Sequence, residues 1–510
     1  MRYEPPASER RRAEPQKHQR ERPQAGITPG RLAFVFPSQP HHGAAPRKSV
    51  IALRVSGPWV DDTNVALLAD LYQFTMLEAY LEEGLQEEAA FTLFVRRLPP
   101  RRNFLVACGL DAVLGYLENL RFTESSLEYL GSLGRFSNRL LRYLRGFRFT
   151  GSVAALPEGT PLFAEEPILE VVAPLLQAQL VETCLMNQIH VQTMAASKSV
   201  RLVAAAQGRT VVDFGLRRAH GVDAGIKVAR AAYVAGVQST SNVLAGCMYG
   251  IPLAGTMGHS YIQAHPDQLS AFQAFARSYP HSMLLVDTYD TLEGVRDVIR
   301  LARQLGSAFQ ISGIRLDSGD LISLSRQARQ MLDQAGLRGV EIFASGGLDE
   351  DHLEELVRAG APITGFGVGS AIDGTDDSSH LDLAYKLVWY AGEGRIKLSP
   401  GKELLPGRKQ VFRVERNGFA ERDILAERGE LQPGRPMLVD VMRDGARISL
   451  DSTQLETARL RAQEEVNRLP ERIRSLKAAE PPYPVEISSR LRAAREQIEA
   501  RHRGESLRGD

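Results

Sequence analysis

The fold is decided by the stretch TVVDFGLRRAHG (210–221), GVQSTSNVLAG (236–246) and IPLAGTMGHSYIQ (251–263). Thr210-Val211-Val212 is a short apolar run and predicts a buried strand. Asp213, Phe214, Gly215, Arg217 and Arg218 follow at its end. An aromatic ring beside two guanidinium groups suits a flat, anionic small molecule, because Arg pairs bidentately with carboxylate or phosphate. Ser239-Thr240-Ser241-Asn242 then precedes a helical apolar pattern, so hydroxyls coincide with the free N–H groups of a helix start. Leu253-Ala254-Gly255-Thr256 predicts the end of a second short strand, with His259 in the polar loop beyond it. Cations, hydroxyls and a histidine at strand ends point to a phosphate-handling site.

Outward from this stretch, apolar runs alternate with helical patterns. Strands are expected at 283–286, 313–316, 341–344 and 363–366, and helices at 266–278, 291–304, 318–335 and 349–359. Such alternation predicts parallel strands joined by crossover helices, closed into an α/β barrel or nearly so, with the chemistry at the C-terminal strand ends. Upstream, helical spacing runs from Leu67 to Glu83 with Gly84 as its cap, Ala89–Val95 predicts a strand, and 104–120 a second helix. The segment 152–174 has strand patterning with turn signals, and 175–206 predicts one long helix. Beyond Asp382, strands are expected at 383–390, 395–398 and 410–414. Residues 453–476 predict a charged helix broken at Pro470, and 487–510 a frayed end. The expected organisation is an extension (1–60), an N-terminal α/β domain (61–190), the barrel (191–380), a return segment to the first domain (381–450) and a charged helical segment (451–510).

Composition narrows the function. A formal net charge of +1 over 510 residues gives no global field for capturing nucleic acid. The three cysteines, Cys108, Cys184 and Cys247, are widely spaced, which disfavours a disulfide scaffold or a zinc site. No apolar run reaches the ~18 to 20 residues of a membrane span, so a cytoplasmic protein without membrane contact is expected. Residues 1–60 are charged and Pro-interrupted and predict a solvated tail. A transit peptide fits their arginines but not their four glutamates.

The remaining strand ends supply the candidate site. Asp287 follows the run MLLV and suits a ribose hydroxyl or magnesium, whereas Asp290 suits the cap of the next helix. Arg315 and Asp317 share one face of their strand, with Leu316 on the other. A cation beside a carboxylate fits a phosphorylated sugar with a divalent metal, and equally a plain salt bridge. Gly346-Gly347 and Gly367-Val368-Gly369-Ser370 form two successive Gly-rich strand-to-helix turns, whose N–H groups can approach phosphate oxygens closely. His259 has small neighbours that leave room for a phosphate. Its imidazole can act as a phosphoryl acceptor or serve a structural role.

At these residues the chain resembles the nicotinate phosphoribosyltransferase family. The matching pieces are LLADLYQFTM (67–76), DFGLRRAHG (213–221), STSNVLAG (239–246), GTMGHS (255–260), VDTYD (286–290), IRLDSGD (314–320), ASGGLDE (344–350), FGVGS (366–370), and KLSPGK with PGRKQVFR (397–413). The resemblance implies a type II phosphoribosyltransferase fold: an irregular α/β barrel beside a second α/β sandwich domain, with a C-terminal extension. It implies a dimer with shared sites that joins nicotinate to 5-phosphoribosyl 1-diphosphate, with ATP as co-substrate and Mg2+ as cofactor. By the same resemblance His259 carries a transient phosphate, Phe214 stacks on the pyridine ring, Arg217 and Arg218 lie near base and diphosphate, and Ser241 sits by the ring carboxylate. Arg315, Asp317 and Asp287 hold phosphoribose and magnesium-bound diphosphate, and Gly346, Gly347, Gly367, Gly369 and Ser370 cradle phosphates. Tyr72 and Arg96 reach the site from a partner subunit, assisted by Lys386. A nicotinamide-using enzyme, expected to carry an acid in place of Ser241, and a non-catalytic metabolite sensor are the alternatives on the same fold.

Overall fold

The computed structural model describes residues 60–373, 378–399, 404–448, 451 and 453–504. The tail expected at 1–60 therefore lies outside the described residues except for Val60.

Six short strands form one parallel sheet in the spatial order Ser239–Thr240, Thr210–Asp213, Gly365–Val368, Glu341–Ala344, Gly313–Leu316, Met283–Leu285. Val211, Leu284, Ile314, Leu316, Ile342, Phe366 and Val368 are fully buried. Helices cover the sheet, so its strands appear in sequence as continuous apolar runs rather than alternating ones. The crossover helices are Val222–Val234, Gln268–Ser278, Thr291–Leu305, Leu321–Gln334 and Glu350–Arg358. The sheet curls into a half barrel. The strand expected at Leu253-Ala254 is a single bridge from Leu253 to Thr240. Pro252 has no N–H to extend that ladder, and a Gly-containing loop follows.

The second sheet has seven strands, drawn from three separated parts of the chain. Its order is Glu393–Gly394, Leu383–Tyr390, Glu88–Val95, Pro167–Pro174, Ser152–Ala155, Val439–Arg443, Ala446–Arg447, all antiparallel. The helix Glu182–Ala206 packs against elements of both sheets. Seventeen of its 25 residues are buried, so no single polar face marks it in the sequence.

Several expected elements differ. The helix expected from Leu67 starts at Leu71, where Asp70 and Gln73 form a capping box. The long helix divides at Val181 into Leu175–Leu180 and Glu182–Ala206. The amide of Gln73 donates to the carbonyls of Gln179 (3.0 Å) and Leu180 (3.2 Å), satisfying groups released at that break. Residues 104–120 split into a strand, Leu105–Val106, and a helix, Leu110–Asn119. Between them Gly109 (φ +104°) passes so near the Gln188 carbonyl that a Cβ would stand 2.5 Å from it. No strand forms at 395–398. Phe419–Glu427, which pairs along Lys409–Arg416, is a strand not anticipated. Of the segment expected to fray, 505–510 lie outside the described residues and Ser489–Arg503 is a helix. Ser488 caps it by accepting the Leu491 N–H at 3.1 Å, and Leu491 is buried. A cap and a docked leucine account for the order where fraying was expected.

The helix Leu455–Arg468 packs on the helix Val222–Val234 and on the short strand Pro161–Leu162. Gly159 (φ +88°) meets it so closely that any Cβ would overlap the Ala458 carbonyl. Arg459 donates to the carbonyls of Tyr233, Val237 (2.6 Å) and Gly236 (3.0 Å) at the end of the helix Val222–Val234. Beneath it, Arg230 pairs with the fully buried Glu158 at 2.6 Å and donates to the Thr453 carbonyl at 3.0 Å.

Candidate active site

The C-terminal ends of the parallel strands bring together Phe214, Asp287, Arg315, Asp317 and the turns carrying Gly346, Gly347 and Gly369. Parallel pairing does this, because every strand delivers its loop to the same edge. Gly367, expected in a turn, lies within the strand Gly365–Val368 because that strand runs two residues further than expected. Asp213 and Phe214 close the Thr210 strand, with the Phe214 N–H donating to the Val368 carbonyl at 2.8 Å. The Phe214 ring lies over Gly367, whose lack of a side chain makes the space: a Cβ there would stand 2.5 Å from a ring carbon. Phe343 backs the same ring at 6.1 Å, and the Arg315 guanidinium stands 5.9 Å from its centroid.

Arg315 is 13 % exposed, donates to the Thr256 hydroxyl at 3.0 Å and stands 3.8 Å from Asp317. Burial lowers its pKa, only partly offset by Asp317 and Asp287, and Arg217 pushes the same way as burial. The Arg315 Nε is buried without a hydrogen-bond partner, a donor left over for an anion. Asp287 accepts from the Asp317 N–H (2.9 Å) and the Ser318 hydroxyl (2.6 Å) on one oxygen, while its other oxygen is buried without a hydrogen-bond partner. Asp290 caps its helix through the Glu293 N–H at 2.8 Å, as its spacing implied. Asp317 also accepts from the Ser345 hydroxyl. Gly346 (φ +90°) lies so close to the Asp317 carbonyl that any side chain would overlap it, and Gly347 (φ +67°) is left-handed too. Those two glycines let the turn fold back against Asp317.

His259 opens a short helix, His259–Gln263. Its Nδ1 is 3.1 Å from the Thr288 hydroxyl, and its Nε2 is 3.8 Å from Asp317. The imidazole is 40 % exposed. Arg217 and Arg218 sit exposed on the turn Leu216–Arg218, and Ser241 is exposed with its N–H bonded to the Asp213 carbonyl at 2.9 Å. Ser370, exposed, begins the helix Ser370–Asp373.

Tyr72, Arg96 and Lys386 form a separate group on the antiparallel sheet and its flanking helix. Tyr72 is half-exposed at the start of Leu71–Glu83. Burial first, then Glu182, which accepts its hydroxyl, pushes the Tyr72 phenol above its ordinary range. Lys386 also faces Glu182 and favours its charged form, against the burial that raises it. Arg96 pairs with Asp382 at 2.9 Å. Residues not singled out in the sequence as site groups include Thr256, Thr288 and Ser345, which bond Arg315, His259 and Asp317, and Asp213, whose carbonyl holds Ser241 and whose carboxylate accepts from Thr240. Asp213 stands in a quoted motif, but its burial is a tertiary fact.

Comparison with known proteins accounts for this arrangement. The nicotinate phosphoribosyltransferase N-terminal domain model matches residues 67–190, and the nicotinate phosphoribosyltransferase family model matches 210–390. The chain belongs to the nicotinate phosphoribosyltransferase family. It is 52 % identical over 426 residues to nicotinate phosphoribosyltransferase pncB2 of Mycobacterium tuberculosis, covering 84 % of this chain and 92 % of that one. With the nicotinate phosphoribosyltransferase of Bacillus subtilis it shares 42 % over 375 residues, covering 72 % and 76 %. Among solved structures, human nicotinic acid phosphoribosyltransferase superposes with a TM-score of 0.77 at 28 % identity, covering 84 % of this chain and 99 % of that one. The protein is an enzyme, and nicotinate phosphoribosyltransfer in NAD salvage is its activity. No helix among the described residues is long and apolar enough to cross a membrane.

Proposed function

We propose that the cluster at the parallel strand ends is the catalytic site and that it runs an ATP-coupled reaction through a transient phosphohistidine on His259. The observation that carries this is one constellation: the supported Phe214 ring, Arg315 with its unpartnered Nε, the neighbouring carboxylates Asp287 and Asp317, and the part-exposed imidazole of His259. Nicotinate stacks on Phe214, with its carboxylate toward Ser241 and the cations Arg217 and Arg218. Its ring nitrogen already carries the attacking lone pair, so alignment is what the protein must supply. Departure of diphosphate leaves positive charge on the ribose C1′, and Arg315 and Arg217 neutralise the leaving group. The Gly346-Gly347 turn and the Gly369-Ser370 turn beyond the Gly365–Val368 strand offer N–H groups to phosphate oxygens.

Mg2+ fits this site. The unpartnered buried oxygen of Asp287 beside Asp317 is a donor set for a hard cation. Among the described residues no group of three His, Cys, Asp or Glu side chains could hold a metal, which favours a cation held mainly through substrate diphosphate. When bound, it would supply charge neutralisation at the leaving diphosphate.

His259 is the phosphoryl acceptor in this reading, because one nitrogen is engaged by Thr288 and the other is left facing Asp317 and the site. The active unit is a homodimer. Tyr72, Arg96 and Lys386 of one copy complete the strand-end cluster of its partner, and the exposed apolar residues beside each group (Leu68 and Leu71, then Leu216, Val222, Val243, Leu244 and Met248) meet in the interface. The enzyme works in the cytoplasm.

The test is mononucleotide formation from 5-phosphoribosyl 1-diphosphate and magnesium, with nicotinate or nicotinamide, each with and without ATP. Nicotinate turnover that rises with ATP is expected. His259→Ala should lose the ATP stimulation and keep some uncoupled synthesis; equal stimulation in the variant would remove His259 from the coupling. Turnover of nicotinamide instead would mean the pocket at Ser241 has been misassigned.

A further inference from the structure

We propose that Asp213 is the positioning residue of the base pocket, a buried carboxylate that clamps the Phe214 turn to the Ser241 turn without touching the substrate. This rests on the reading that Phe214 and Ser241 form that pocket.

The strands Thr210–Asp213 and Ser239–Thr240 are in register only as far as Asp213 and Thr240. Both chains turn away there, and both carry pocket residues directly afterwards. Asp213 holds the two turns at that point. One carboxylate oxygen accepts the Gly215 N–H at 2.8 Å, which fixes the chain immediately after Phe214. The other accepts the Thr240 hydroxyl at 2.7 Å, and the Asp213 carbonyl accepts the Ser241 N–H at 2.9 Å. The residue is 2 % exposed, so it reaches the substrate only through these neighbours.

The bonds are directional, and this explains the choice of an acid. Thr240 Oγ already accepts the Asn242 N–H at 3.0 Å, so its proton must go to Asp213. Gly215 offers only a donor. Asp213 therefore faces two donors, and an acceptor-only carboxylate satisfies both, whereas an Asn must turn its NH2 on one of them. The chain continues: Asn242 accepts the Ala245 N–H at 3.1 Å as the cap of Val243–Tyr249 and donates to the Gly225 carbonyl at 3.2 Å. Burial raises the pKa of Asp213, and its two hydrogen bonds oppose that shift, consistent with a carboxylate kept where water is excluded. For a group that no substrate atom can contact, the remaining function is geometric. It fixes the separation between the ring that stacks on the base and the hydroxyl beside the base carboxylate.

The experiment is steady-state kinetics in both substrates for Asp213→Asn, Thr240→Val, Thr240→Ser and Phe214→Ala, with Tm measured for each. Asp213→Asn and Thr240→Val should each raise KM for nicotinate about ten-fold or more, the usual weight of a lost hydrogen bond to a charged group. KM for 5-phosphoribosyl 1-diphosphate should stay within about two-fold, and Thr240→Ser, which keeps the hydroxyl, should restore the wild-type KM for nicotinate. An equal rise in both KM values, a fall in kcat alone, or an unaffected Thr240→Val overturns the proposal. If Asp213→Asn does not fold, the Thr240→Val and Thr240→Ser pair decides. Phe214→Ala is the separate control: an unchanged KM for nicotinate there sinks the base-pocket assignment itself. A raised KM in Phe214→Ala beside unaffected Asp213→Asn and Thr240→Val sinks only the role of Asp213.

Discussion

Replacing Gly367 by Ala tests the geometry of the pocket with one methyl group. A Cβ on Gly367 would stand 2.5 Å from a Phe214 ring carbon and 3.0 Å from a Phe343 ring carbon. Carbon atoms rest at about 3.5–4.0 Å, so the Phe214 ring must retreat by about 1 Å or more. Phe343 meets the same Cβ, so the two rings must shift together. Overpacking of this kind costs about 1–3 kcal/mol, and in a chain of this size that lowers Tm by only a few degrees. The larger effect is on alignment, since a displacement of about 1 Å can cost up to a hundred-fold in rate. We expect kcat/KM for nicotinate to fall about 10–100-fold while KM for 5-phosphoribosyl 1-diphosphate moves less than about two-fold. Initial rates with each substrate varied in turn, alongside thermal melts, give both quantities. If KM for the phosphoribosyl donor rises and that for nicotinate does not, Gly367 serves a phosphate and the ring argument is wrong.

Three further outcomes follow from the same structure. Glu166 is buried, with its carboxyl raised well above its ordinary range by burial first and then by Asp423; Arg413 and Tyr483 are the other titratable groups facing it. A raised folded-state pKa gives stability that is complete below the unfolded value near 4.5 and is lost as pH climbs toward the folded value. Tm of the wild type should therefore fall with rising pH in that window, and Glu166→Gln, which mimics the protonated form, should flatten the fall; an identical slope in the variant would remove Glu166 from the linkage. Arg230→Met leaves Glu158 buried and uncompensated, which costs about 3–5 kcal/mol. A Tm drop of about 3–5 °C is expected, with substantial recovery in the double variant Arg230→Met, Glu158→Gln, and no drop would show the pair contributes nothing. Ser241→Asp places a carboxylate against the carboxylate of nicotinate, so kcat/KM for nicotinate should fall at least about ten-fold and turnover of nicotinamide should appear in paired assays.

Some features of the chain are local and were legible as such. Apolar runs of three or four residues between helical patterns specify a covered parallel sheet, because a strand buried on both faces carries no alternation. Asp290 at a helix start, Gly84 after one and Pro470 between two act through their nearest backbone neighbours, and each does what its type dictates. The site residues after each strand could be named for a related reason: a parallel sheet sends all its C-terminal ends to one edge, so Phe214, Asp287, Arg315 and Asp317 meet wherever such a sheet forms.

What only the tertiary structure decided depends on groups far apart in the chain. The long helix breaks at Val181 because Gln73, about a hundred residues earlier, takes up the freed carbonyls. The C-terminal helix is ordered because Leu491 finds a buried place beside the Phe419–Glu427 strand. Gly367 reads in sequence as a phosphate-loop glycine, yet its α-carbon faces an aromatic ring from another strand. Asp213 appears as one more acid in a motif until its burial and its bond to Thr240 are seen. Local sequence carries propensity, caps and turn chemistry. Which distant donor meets which acceptor, and which side chain must be absent for another to fit, is set by packing alone.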